Sequence, residues 1–138
     1  MPDSYPRPLT LALLVGIFGA AGAISRYILT MAAFWLLGPE FPWGIFLVNV
    51  LGCFLFGALW ALSEHRCMIP FPASMAMLTG FVGSFTTFSN LVFEAELLLQ
   101  AKQWGALALY LLGQNILGFA ALALGLWIAG GQQSPDKS

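Results

Sequence analysis

Charge is what this sequence has least of. Five Lys and Arg, six Asp and Glu and one histidine leave 8% of its 138 residues charged, where a soluble domain carries roughly a quarter. A water-facing surface cannot be built from so few polar groups, which excludes an ordinary soluble globule. The formal net charge of −1 holds no cluster of Lys and Arg, and neutralising phosphates requires one, so nucleic acid is excluded as a partner. Histidine occurs once, at His65, and no Ser/His/Asp set, HExxH, P-loop or GxGxxG is present; an enzyme is not expected. The two cysteines, Cys53 and Cys67, stand in no CxxC or Cys/His grouping and are read as unpaired thiols rather than zinc or iron ligands.

What is present in quantity is apolar. Hydrophobic residues make up 59% of the chain, and its mean hydropathy is +0.85. Charges, prolines and turn residues divide it into four runs, at 9–37, 43–62, 72–100 and 104–130, each holding the roughly 20 residues that cross a hydrocarbon core. A cleaved leader would account for Arg7, the apolar run and "GAAGA". Against it, the run continues through "ISRYILTMAAFWLL", and the later runs need no leader to reach the membrane. The connectors "GPEFP", "SEHRCMIPF" and "AKQ" are short, so consecutive helices should be antiparallel. The expectation is an all-α integral membrane protein. It has four transmembrane helices in a single membrane domain, with short disordered tails at 1–8 and 131–138. Loop charge is nearly balanced, with Arg7, Arg66 and Lys137 on one side against Lys102, with or without Arg26, on the other. Such balance permits insertion in both orientations, and hence an antiparallel dimer of identical subunits, as well as a single orientation with few anchors.

Polar residues at membrane depth are the informative exceptions. The third run contains "GFVGSFTTFSN", 80–90, and its length of about 29 residues, roughly 43 Å as one helix, leaves room for a break. Two readings stand. One is a kinked helix whose hydroxyls bond back to its own carbonyls. The other is a third helix interrupted near its middle, with freed carbonyls for a cation and freed N–H groups for an anion. Asn49 in the second run serves either as glue between helices or as part of a permeation path. Tyr110 and Gln114, four apart, share a face of the fourth run, with Asn115 beside them. Arg26 either snorkels to an interface or caps a polar vestibule. Glu94 is either an interfacial carboxylate or a residue of a pore mouth. Recurrent glycines, Gly16, Gly19 and Gly22, Gly52 and Gly57, Gly113 and Gly118, read as sites of close helix packing.

In order along three runs, "GAAGAISRY", "VNVLG" and "GFVGSFTTFS" resemble the Fluc/CrcB family of fluoride channels, a resemblance that extends over 9–130. It implies a four-helix subunit in a dual-topology antiparallel homodimer of the cell membrane, exporting cytoplasmic fluoride passively, with a structural Na⁺ at the dimer interface. Residue by residue, it implies sodium-binding carbonyls at Gly83 and Thr86 and a fluoride pore of Asn49, Phe88, Thr87, Ser89, Leu91, Tyr110 and Gln114. Apart from the resemblance, Arg26 and Glu94 stay candidates for a vestibule beside their interfacial readings. Phenylalanine edges and amide or hydroxyl donors suit a small, strongly hydrated anion. One position departs from the family pattern: TTFSTF becomes "TTFSNL", so Leu91 stands where a second phenylalanine is usual and brings bulk without a ring quadrupole. The alternative is a small dual-topology proton-coupled multidrug transporter, which needs a membrane-embedded carboxylate, and only Glu94 and Glu96, late in the third run, are available. A third reading, an accessory subunit that only packs against other helices, predicts no ion flux.

Overall fold

The computed structural model describes residues 7–65 and 67–131. Most of both predicted tails, 1–6 and 132–138, lies outside the described residues, as do Arg66 and Lys137 of the loop-charge comparison and the side chain of His65.

Helices account for nearly all of the described residues. α1 (Pro8–Leu37) opens on a proline, whose missing N–H is no loss at a helix start and whose fixed φ already suits a helix. It stops at Gly38, where φ is +81° and the N–H bonds the Phe34 carbonyl at 3.0 Å. α2 (Trp43–Trp60) runs on into a π-helical turn, Ala61–His65. The third apolar run is assembled from pieces: α3 (Phe71–Met75), a π-helical stretch Ala76–Val82, the single turn α4 (Gly83–Phe85), and α5 (Phe88–Gln100). α6 (Trp104–Gly130) is one helix of 27 residues. Four stretches, Pro8–Leu37, Trp43–Glu64, Phe71–Gln100 and Trp104–Gly130, are long and apolar enough to cross a membrane.

Short connectors turn each span back on the one before. The turn between α5 and α6 does so in three residues: Lys102 N–H bonds Leu99 O and Gln103 N–H bonds Leu98 O, both at 3.0 Å. These paired bonds form a Schellman closure, which satisfies the last helical carbonyls and needs a left-handed residue at its centre. Lys102 takes that place with φ +57°.

α2 packs most extensively on α6. A Cβ on Gly57 would run into the Leu122 carbonyl, and one on Gly125 into the Phe54 carbonyl, so the two glycines let these backbones nearly touch. In lipid, where apolar side chains gain little by leaving one another's company, such close van der Waals contact is a main source of helix association. α1 covers the Ala76–Val82 stretch and α4, and α5 lies against α6. At the Lys102 end Phe41 closes on Trp43, centroids 4.7 Å apart, and on Tyr110 at 5.7 Å. With Phe46 and Leu98 they form the core cluster, which anchors the start of α6 beside the polar residues described next.

Candidate functional site

Between α4 and α5 the backbone leaves the helical region for two residues. Thr86 has φ −79°, ψ 158° and Thr87 has φ −153°, ψ 120°. An extended residue points its own N–H and C=O to one side, as in a β-strand awaiting a partner. α2 supplies that partner as a side chain. Asn49 Oδ1 accepts from Thr87 N–H at 2.9 Å, and Asn49 Nδ2 donates to Thr87 O at 3.1 Å. Gly52, three residues further along α2, leaves space that the Thr86 methyl occupies, which lets α2 come this close. The second N–H of Asn49 Nδ2 goes to Gln114 Oε1 on α6 at 2.8 Å.

The hydroxyls divide between local and structural roles. Thr86 Oγ1 donates back to Val82 O at 3.1 Å, the self-contained bond expected of a threonine in an apolar helix. Thr87 Oγ1 instead caps α5, accepting from Asn90 N–H at 3.3 Å, and lies 3.2 Å from Ser89 Oγ; such caps commonly contribute about 1 kcal/mol. Two backbone N–H groups are thereby diverted. In a continuous helix Thr87 N–H would bond Gly83 O, and Asn90 N–H would bond Thr86 O, four residues back. Here they go to Asn49 Oδ1 and Thr87 Oγ1.

A cavity of about 280 Å³ opens beside this junction, lined by Asn49, Cys53, Thr86, Thr87, Phe88 and Gln114, with Leu91 and Asn115 completing it. Gln114 is 6% exposed, and besides Asn49 its side chain interacts with Tyr110, one turn earlier on α6. Toward the Lys102 end a second polar contact joins α6 to α5: the fully buried Tyr110 donates its Oη–H to Glu94 Oε2 at 2.6 Å. Glu94 also lines a separate cavity of about 320 Å³ with Glu40, Thr30, Phe41 and Trp43.

Of the residues singled out in the sequence, Asn49, Thr86, Thr87, Phe88, Leu91 and Gln114 thus meet at one cavity, and Ser89 joins through Thr87. Leu91 also packs on the Phe46–Leu98–Tyr110 cluster. Phe88 is 77% exposed on the single subunit, and Gly83 is exposed as well. Tyr110 donates to Glu94 nearer the membrane end and also interacts with Gln114 one turn along α6. Arg26 lies half-buried on α1 and lines neither cavity. Cys53 was not foreseen at this wall, although its place four residues after Asn49 puts it on the same face of α2; it is a free thiol, as expected. Asn115 donates to Leu111 O at 2.7 Å, a bond within its own helix.

Residues 13–126 match the family described as CrcB-like protein, Camphor Resistance (CrcB). The protein belongs to the CrcB family. A relative from Nitrosococcus oceani, named fluoride-specific ion channel FluC, is 46% identical over 115 residues, 83% of this sequence and 92% of that protein. One of the same name from Solidesulfovibrio magneticus is 46% identical over 112 residues, 81% of this sequence and 90% of its own. A third, from Nitratidesulfovibrio vulgaris, is 45% identical over 114 residues, 83% and 92%. The family inferred from the motifs on the first three runs is the one matched. With four membrane-crossing stretches, this CrcB-family member is a multi-pass membrane protein.

Proposed function

We propose that the protein is a passive, fluoride-selective channel of the cell membrane that lets cytoplasmic fluoride leave the cell. The observation that carries this is family membership along nearly the whole sequence, with relatives at 45–46% identity named fluoride-specific ion channels. The polar cavity on α2, α5 and α6 supports it independently, because amide and hydroxyl groups at membrane depth line a route that lipid alone would forbid. The family speaks for the channel and not for the proton-coupled multidrug transporter. It speaks equally against an enzyme.

In this reading the pore is the wall formed by Asn49, Thr87, Phe88, Ser89, Leu91, Tyr110 and Gln114. The Phe88 ring offers its electropositive edge, while Leu91 contributes shape only. Glu94 and Arg26 stand toward the mouths. The working unit is an antiparallel homodimer, supported by the nearly balanced loop charges and by the exposed Phe88 and Gly83, which a second copy would cover. The third span acts as an interrupted helix, supported by the extended Thr86 and Thr87.

A structural Na⁺ fits the same junction. The carbonyls of Gly83 and Thr86 are among those that lose their continuous-helix donors at the break, and hard oxygen donors suit a hard cation. Bound there, the ion would add fixed positive potential and tie the two copies together. Everything else at the site is the work of the protein's own groups, which desolvate the anion and replace its water.

Fluoride release from liposomes holding the purified protein, read by electrode beside a chloride efflux assay, tests this. Rapid fluoride release without chloride loss is expected, and no release of either ion would overturn the reading.

A further inference from the structure

The end of the bundle opposite Lys102 carries a cavity away from the Asn49–Thr87 wall. It measures about 310 Å³ and lies in the groove between the end of the second span and the start of the third. Phe56, Trp60 and Glu64 line one side of it. They are spaced four apart along α2 and the π-helical turn that extends it, so they share a face. Phe71, Met75 and Thr79, at the same spacing on the third span, line the other side. The Phe56 and Trp60 rings lie nearly parallel, 11° apart with centroids separated by 6.1 Å. Both are exposed, as is Phe71. Among the described residues that line this groove none is basic.

We propose that this groove seats a phospholipid with a primary ammonium headgroup, its ammonium beside Glu64 and the aromatic faces and an acyl chain continuing inward. Polarity along the groove decides the occupant. Glu64 ends its span, at the depth of lipid headgroups, and Phe56 lies about two helical turns deeper. Thr79, two turns into the third span, donates its hydroxyl to Met75 Sδ at 3.2 Å, so that O–H is not offered to a guest. A carboxylate outside and apolar surface inside match an amphiphile with a cationic head. Aromatic faces attract cations, tryptophan most strongly, and Glu64 adds the opposite charge. A carboxylate only accepts hydrogen bonds, so an ammonium that carries N–H groups gains what a quaternary one cannot. Aromatic side chains alone would anchor these helices at the interface under any headgroup; the carboxylate among them makes the choice. The inference does not depend on which ion the pore passes.

Native mass spectrometry of the intact protein in detergent tests this, with phosphatidylethanolamine, phosphatidylcholine and phosphatidylglycerol of matched chains added in equal amounts. The ethanolamine lipid should be retained over the choline lipid by roughly two- to fivefold, the scale of one exposed ion pair. Phosphatidylglycerol, which has no ammonium, should be retained least. Glu64→Gln keeps the shape and removes the charge, and should abolish the preference for ethanolamine over choline. Trp60→Leu keeps apolar bulk and removes the stronger cation-binding ring, and should weaken retention of both ammonium lipids. Dodecylammonium, a head and chain without phosphate, should displace the ethanolamine lipid, whereas free ethanolamine should not.

Equal retention of the three lipids by the wild type would overturn the proposal, as would an ethanolamine preference that survives Glu64→Gln. Stronger retention of phosphatidylglycerol would reject it in favour of an anionic headgroup. Displacement by free ethanolamine would make the occupant a soluble ammonium ion and reject the lipid. Should Trp60→Leu fail to fold, Glu64→Gln, at an exposed position, decides alone.

Discussion

α2 meets its neighbours in two unlike ways. In its second half it lies against α6 with nothing between the backbones but Gly57 and Gly125. In its first half it reaches the third span and α6 through one carboxamide that makes three directed bonds. The first contact is held by dispersion and depends on volume. The second depends on which atom is a donor and which an acceptor. Both occur on one helix in one solvent, so the difference belongs to the residues and not to the bilayer. A seam of small residues secures the bundle; a carboxamide sets the orientation of one particular stretch of backbone.

The comparison breaks most readily at the polar contact. Asn49→Leu leaves Thr87 N–H, Thr87 C=O and Gln114 Oε1 without their partner, and unmade buried bonds cost about 1–3 kcal/mol each. A loss of roughly 3 kcal/mol or more is expected, read as a lower unfolding midpoint in detergent, together with loss of fluoride flux. Gly57→Val attacks the other contact. Its side chain meets the Leu122 backbone, which has far less freedom to move aside than a rotatable group has, and overpacking of this kind costs about 1–3 kcal/mol. Flux per folded molecule should survive it, and a folded but silent Gly57→Val protein would mean that the seam does more than pack. Thr87→Val is the finest cut, removing the α5 cap while keeping the backbone pairing with Asn49. About 1 kcal/mol of stability should go, with the Thr87 N–H still slow to exchange with deuterium.

Much of the fold was legible because crossing a bilayer demands long apolar runs, and charges and prolines mark where they end. The individual polar residues were legible for the same reason, since Asn49, Thr87 and Gln114 stand out against an apolar background. Their partnerships were not. Asn49 pairs with backbone groups, which every residue carries, so no letter in the sequence announces it. Nor does any residue type mark the π-helical stretches Ala76–Val82 and Ala61–His65. Gly57 was singled out, but its counterpart Gly125 was not, because which glycines oppose each other depends on where two helices cross. Cys53 was weighed only as a thiol, whereas its position one turn from Asn49 decides its surroundings.

Lys102 closes the α5–α6 turn in a backbone conformation that glycine adopts freely and other residues adopt at a cost of about 1 kcal/mol or more. It is also the one basic residue in the loops at its end of the bundle, opposite Arg7. A glycine here would relax the turn and at the same moment remove the charge that counters the pull of the other end toward the cytoplasm. Backbone ease and loop charge thus make opposite demands on a single position, and the lysine there keeps a positive charge at this end in a conformation that glycine would adopt more freely.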